Sequence, residues 1–300
     1  MPTLKFVKQG IDQNTKRATL CALLAAALYA ISAPCSKLLL RGLTPTMMAA
    51  FLYLGAGIGM AAVGLLRSRG RKLDAALRLT RKELPYTAAM IVLDIAAPAF
   101  LMVGLTMTTA ANASLLNNFE IVATAIIALL FFKERITKRL WLAIGLITLS
   151  SVILSFEDMS SLSFSSGSLF VLLACICWGL ENNCTRALSQ KDPLQIVVIK
   201  GLGSGAGALL IALMMGDRLG DLPYIVAALV LGFVAYGLSI FFYVRAQRDL
   251  GAAKTSTYYA VAPFIGVALS LVVFRAFPSI SFFIALAIMG IGAYCASTAT

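Results

Sequence analysis

The chain has 300 residues, 60% of them hydrophobic and 13% charged, with a mean hydropathy of +0.90. Apolar runs near the ~20 residues that cross a bilayer as a helix recur from end to end, which excludes a soluble globular domain. The net charge of +12 sits mostly in the loops between those runs rather than in a nucleic-acid footprint, and the lack of any histidine excludes histidine-based acid–base chemistry.

In chain order, residues 1–17 form a polar, basic tail, and the run that follows is too long for the h-region of a signal peptide. The expectation is an uncleaved anchor and an all-α integral membrane protein. Ten transmembrane helices are predicted, at 18–40, 46–66, 85–107, 113–132, 139–155, 167–188, 194–215, 223–245, 256–275 and 279–298. Proline or glycine marks most joints: Pro45, Gly70, Pro85, Gly167, Pro193, Gly216, Pro223, Gly251 and Pro278. The six cysteines (Cys21, Cys35, Cys175, Cys177, Cys184, Cys295) lie in or at the ends of apolar runs without metal-type spacing. Free thiols, no metal and no cofactor are expected.

Lysine and arginine in the loops set the orientation. The N-terminal tail carries Lys5, Lys8, Lys16 and Arg17, and the loop after the second span carries Arg67, Arg69, Arg71, Lys72, Arg78, Arg81 and Lys82. The loop after the fourth adds Lys133, Arg135, Lys138 and Arg139. Residues 106–112 carry no base, and 156–166 carry only Glu157 and Asp158. Both termini are therefore expected on the cytoplasmic side of a cell (inner) membrane.

The chain repeats itself. Thr109-Ala-Ala-Asn-Ala-Ser114 returns as Gly251-Ala-Ala-Lys-Thr-Ser256, Pro85-Tyr86 as Pro223-Tyr224, and the ladder Gly55, Gly57, Gly59 as Gly203, Gly205, Gly207. Leu24, Tyr29 and Cys35-Ser36-Lys37 return as Leu173, Trp178 and Cys184-Thr185-Arg186. This divides the chain into the tail 1–17, a first repeat 18–155, an external linker 156–166 and a second repeat 167–300. An odd number of spans per repeat makes the second insert upside down, and the loop charges exchange accordingly: Lys133 to Arg139 is strongly basic, whereas Arg275 to Ser279 keeps one base. Two inverted five-helix repeats are a hallmark of secondary transporters, whose substrate site lies near the midplane between the halves.

In these residues the chain resembles the ten-helix drug/metabolite transporter superfamily, with its EamA-type repeat. That repeat has a small-residue turn leading into a helix with a proline, followed thirteen residues later by an acidic position. The second half has Ala252-Ala253, Ser256 and Pro263, with Ala276 at the acidic position; the first has Ala110-Ala111, Ser114 and Glu134, with Ile121 at the proline position. The resemblance covers nearly the whole chain. It implies export or exchange of a small metabolite or amino acid through a central cavity, without ATP.

Ionisable groups inside a span are costly and mark a path or a partner. Glu120 lies about 12 Å into the fourth span, with Asn117 and Thr124 on the same helical face. Asn117, Glu120 and Tyr259 are candidate cavity residues; an interhelical hydrogen-bond cluster is the alternative. Asp94 falls near mid-bilayer, and burial disfavours its charged form, so Asp94 and Glu120 are candidate proton carriers or anchors for a substrate ammonium. Their repeat mates are Gly232 and Ala262. Glu181 and Lys200 sit at similar depth on consecutive helices and read as a structural ion pair or an inner gate. Tyr29 and Trp178, at equivalent places, are further cavity or packing aromatics. Lys37 and Arg186 near span ends are expected to reach the interface, and the glycine ladders to bring the second and seventh spans together.

The expected function is a secondary transporter that exports or exchanges a small polar metabolite, foremost an amino acid, by alternating access. Proton coupling and passive facilitation both fit. An exchanger of phosphorylated or other anionic metabolites is the alternative and would need Lys37, Lys200 or Arg245 in the cavity. A membrane-embedded enzyme is disfavoured.

Overall fold

Proline opens several of the helices. It lacks an N–H that the first helical turn does not use, and its fixed φ suits that turn. The computed structural model describes residues 3–68, 78–133, 136–158, 163–188 and 190–298, without side chains at 3–15, 67–68 (Arg67 among them), 132, 157–158, 163–164, 247–254, 256 and 257. The expected signature residue Glu134, the loop bases Arg69, Arg71, Lys72 and Arg135, and Gly70 fall outside the described residues. The same holds for the side chains of Lys5, Lys8, Glu157, Asp158, Arg248, Ala252, Ala253, Lys254 and Ser256.

The first half comprises α1 (Thr3–Ala30), α2 (Ser32–Leu39), α3 (Pro45–Ser68), α4 (Leu84–Met107), α5 (Ala110–Leu116), α6 (Phe119–Phe132) and α7 (Lys138–Ser155). A short antiparallel pair, β1 (Phe156–Asp158) and β2 (Ser163–Phe164), occupies the expected linker, with Phe156 opposite Phe164. The second half comprises α8 (Ser166–Leu188), α9 (Pro193–Met214), α10 (Leu222–Leu231), a π-helical segment (Gly232–Leu238), α11 (Ser239–Tyr259), α12 (Ala262–Phe274) and α13 (Ile280–Ser297). Among the described residues, nine stretches are long and apolar enough to cross a membrane, and Ala262–Phe274 is a tenth, shorter apolar helix.

That short helix corrects one boundary. The ninth span was expected to begin at 256, after a loop around Gly251, but α11 stays helical to Tyr259 and the break falls at 260–261. A single glycine inside a helix costs only about 1 kcal/mol and does not end it. Pro263 cannot return an N–H to the Tyr259 carbonyl four residues earlier, so the chain breaks there instead.

The first half breaks at the matching place without a proline. Thr109 caps α5 by accepting from the Asn112 N–H at 3.0 Å. Asn118, Glu120 and Ile121 then donate to the carbonyls of Leu115, Asn117 and Asn118, a tightened i→i+3 turn separating α5 from α6. The Cys175 thiol contacts the Leu116 and Asn117 carbonyls at 3.6 and 3.9 Å.

Contacts between elements recur between the halves with partners exchanged. α4 packs on α8 and α11 on α1; α6 packs on α8 and α12 on α1; α3 meets α9 and α7 meets α13. Small residues set the closest approaches, as the glycine ladders lead one to expect. A Cβ on Gly57 would stand 2.5 Å from the Leu202 nitrogen, and Gly55 and Gly232 bring α3 onto α10 and the π segment, against the carbonyls of Leu229 and Leu52. At one end of the bundle, Asn112 ties α5 to α7 and α8 through the Leu154 carbonyl and the Ser168 hydroxyl.

Candidate functional site

Four helices deliver a buried charge cluster. Lys200 of α9 places Nζ 3.0 Å from Asp94 Oδ2 on α4 and 3.0 Å from Glu181 Oε1 on α8. The Asp94 contact lacks the alignment of a hydrogen bond, so it acts as an ion pair. Tyr53 of α3 donates its hydroxyl to Asp94 Oδ1 at 2.8 Å, and Thr185 donates to Glu181 from the next helical turn. Relative exposure is 0% for Asp94, 2% for Glu181 and 5% for Lys200.

The Glu181–Lys200 pair is therefore present, and Asp94, for which the sequence offered no partner, joins it. Burial makes each charge seek every partner in reach, and one ammonium serves two carboxylates. Because Asp94 and Tyr53 belong to the first half and Glu181 and Lys200 to the second, the cluster pins the halves together.

Glu120 forms a second cluster one helix away. Its Oε1 accepts from Asn182 Nδ2 at 2.5 Å, and the same amide reaches Thr124 Oγ1 at 3.4 Å. Asn183 donates to the Gly179 and Thr124 carbonyls at 2.8 and 3.3 Å, so α8 runs unbroken where Pro34 interrupts its mate. The expected Asn117–Glu120–Thr124 stripe is split by the α5–α6 break: Glu120 and Thr124 face Asn182, and Asn117 faces elsewhere.

Asn117 lines a small void with Tyr29, Ala30, Ser32, Ala33, Ser114, Ala262, Pro263 and Gly266. Its volume is about 10 Å³, room for roughly one water-sized sphere. Beside it runs a chain of tyrosines. Ring centroids are 5.4 Å apart for Tyr53–Tyr236, 5.9 Å for Tyr236–Tyr29, 5.8 Å for Tyr29–Tyr259 and 4.8 Å for Tyr259–Tyr243. Ser32 donates to the Tyr236 hydroxyl at 3.1 Å. Trp178 is buried in the core, one helical turn before Glu181 on α8.

Thus Tyr29, Asn117 and Tyr259 gather at the void, Glu120 sits across the α5–α6 break from it, and Asp94, Glu181 and Lys200 form the neighbouring charge cluster. Sequence reasoning missed Tyr53 and Tyr236. Tyr53 stands two residues before the glycine ladder and Tyr236 within the π segment, and neither position carries a polar pattern that would have marked it. The Lys37 ammonium donates to the Leu105 carbonyl and, at 2.7 Å, to that of Thr108, closing the end of α4. Both Lys37 and Lys200 are thereby engaged within the protein.

The EamA-like transporter family model matches the chain twice, over residues 16–156 and 165–298. An uncharacterized transporter of Methanothermobacter thermautotrophicus is 28% identical over 270 residues, covering 84% of this chain and 77% of that protein. The uncharacterized transporter YyaM of Bacillus subtilis is 23% identical over 240 residues, covering 77% of each. A protein of known crystal structure shares the fold with a TM-score of 0.68 at 19% identity, over 93% of this chain and 95% of that one. A family model matched in both halves, on a helical bundle whose contacts repeat with exchanged partners, identifies the chain as a member of the EamA-like transporter family.

Proposed function

We propose that the protein carries a small polar metabolite bearing an ammonium group, foremost an amino acid, across a cell (inner) membrane by alternating access, with both termini cytoplasmic. The observation that carries this reading is Glu120: a half-buried carboxylate at a helix break, held by an amide rather than by a lysine or arginine among the described residues. An acid so placed can take the charge of an incoming ammonium. Tyr29, Tyr259 and Asn117 supply an aromatic and amide surface on the other side of the break. The central void is far smaller than a metabolite, so binding requires α1, α6 and α12 to part.

Asp94, Glu181 and Lys200 act in this reading as the gate between the halves, closed when Lys200 bridges both acids. Asp94 and Glu120 are the candidate proton carriers if transport is coupled. Of the three bases a phosphorylated substrate would need, Lys37 and Lys200 are engaged within the protein, which leaves that class with Arg245, exposed on α11.

Counterflow in liposomes loaded with unlabelled amino acids tests the reading, with external labelled amino acids as tracers. The expected result is accumulation that Glu120→Gln abolishes while the variant still folds. Equal accumulation in wild type and Glu120→Gln would remove Glu120 from substrate recognition, and labelled phosphate esters accumulating instead would favour the anionic class.

A further inference from the structure

The void and the Glu120 cluster occupy equivalent places in the two repeats. Ala262, Gly266, Ala33 and Ala30 on one side match Glu120, Thr124, Asn182 and Gly179 on the other. In the Glu120 copy the space is filled by a carboxylate, an amide and a hydroxyl bonded to one another. In the other copy those side chains are reduced to methyl groups or hydrogen, and a space remains.

Polar oxygens face that space without hydrogen-bond partners. Ser114 Oγ and Asn117 Oδ1 are buried and have no hydrogen-bond partner, with their residues 3% and 8% exposed. The Ala30 carbonyl, at the end of α1, cannot receive an N–H from Pro34 four residues later. Gly266 brings these groups together. A Cβ there would stand 2.9 Å from Ser114 Oγ and 3.2 Å from the Ala30 oxygen, so a bare Cα keeps the space open.

Charge points the same way. The void is lined by no lysine or arginine. The nearest acid across the break, Glu120, has an amide partner and no basic one among the described residues. Lys200 is already shared by Asp94 and Glu181, and Lys37, one helical turn past Ala33, is bonded to the Leu105 and Thr108 carbonyls. With its carboxylates ionised this region carries more negative than positive charge, in a low-dielectric interior that strengthens attraction to a cation. Neutral carbonyl, amide and hydroxyl oxygens at interrupted helices suit a hard monovalent cation.

We propose that this void binds one sodium-sized monovalent cation, held by Ser114 Oγ, Asn117 Oδ1 and the Ala30 carbonyl, at the junction where α1, α5 and α12 meet. The site is independent of which metabolite is carried. Bound there, the ion ties the end of α1 to α5, on the face where α12 brings Gly266 against them.

The test uses the purified full-length protein in detergent without any substrate, melted in sodium, potassium and choline chloride at equal ionic strength. Ligand that binds only the folded state raises the melting temperature in a saturable way. The expected result is a saturable rise in sodium over choline. It is lost in Gly266→Ala, which fills the space, and shifted to lower sodium in the near-isosteric Asn117→Asp, which adds a charge. Asn182→Ala, in the filled copy, should keep the sodium response. Identical melting in sodium and choline, or a sodium response unchanged in both Gly266→Ala and Asn117→Asp, overturns the proposal and leaves the void as a site for water alone. Since no metabolite is present, failure here leaves the role of Glu120 to be decided by counterflow.

Discussion

Glu181 and Ser32 stand at the same place in their repeats, as do Asp94 and Gly232, yet the two surroundings are built from opposite materials. Around Glu181 and Asp94, α4, α8 and α9 meet through side chains: a lysine bridging two acids, with Ile91 and Ile95 packed on Gly203 and Gly207. Around Ser32 and Gly232, α3, α10 and the π segment meet through backbone, with Gly55 and Gly232 against facing carbonyls and one hydroxyl pair, Ser32 to Tyr236. Duplication supplied one scaffold, and substitution then gave one copy an electrostatic contact and the other a steric one. An ion pair can be broken by a proton, a competing charge or entering water. A glycine contact between backbones has no such trigger. Of these two contacts, the one with such a trigger is Asp94–Glu181–Lys200.

The sharpest way to break this comparison is to remove the lysine. Lys200→Met leaves Asp94 and Glu181 buried at 0% and 2% exposure without their cation. Orphaning a buried pair costs roughly 3–5 kcal/mol, to be read as a large fall in the melting temperature of the detergent-solubilised protein. Adding Asp94→Asn and Glu181→Gln to Lys200→Met should recover much of that loss, because no charge then lacks a partner. If the triple variant melts as low as the single one, the lysine stem matters for packing and the electrostatic account fails.

Next is the amide that holds Glu120. Asn182→Ala takes away the one hydrogen bond described for that carboxylate, and bonds to charged groups contribute about 1.5–3 kcal/mol. Ala33→Ser at the equivalent place of the other repeat should cost far less, since it adds a hydroxyl beside unpaired acceptors. Thermal melting of the two variants side by side measures the asymmetry directly.

The steric copy is probed by Gly232→Ala. A Cβ there overlaps the Leu52 carbonyl, and since backbone cannot rotate away, the helices must separate, at about 1–3 kcal/mol by analogy with overpacked cores. Gly145→Ala is the control: a Cβ at that position meets nothing within 4 Å, so the melting temperature should hold or rise slightly. A loss at Gly145 as large as at Gly232 would mean that helix propensity, not close approach, governs both.

How much of this could be read from the chain alone follows from what each feature depends on. The spans, the duplication and the α3–α9 glycine contact were legible because they rest on hydropathy, period and residue size, which are properties of the sequence itself. The Glu181–Lys200 pair was legible because two opposite charges at equal depth on consecutive helices have few other ways to be buried. The partner of Asp94 could not be read off the chain, since it lies on α9, over a hundred residues away, and depth along a span says nothing about rotation toward a neighbour. The persistence of α11 through Gly251 was hidden for a similar reason: a weak helix breaker is overruled by its neighbours, whereas Pro263 cannot be. Tyr53 was invisible because only Asp94 makes its hydroxyl a functional group.

The smallest expected effect bears most directly on the comparison. Ser32→Ala removes the hydroxyl that donates to Tyr236, at the place where the other repeat carries Glu181. A buried neutral hydrogen bond contributes about 0.5–1.5 kcal/mol, and the Tyr236 oxygen left behind still packs between the rings of Tyr29 and Tyr53. Melting should shift only slightly, and transport in the counterflow assay should survive. Were Ser32→Ala instead to stop transport while the protein stayed folded, the backbone-packed side would contain a moving contact as well. The two copies would then share one function despite their different chemistry, and the gate could no longer be assigned to the charged side alone.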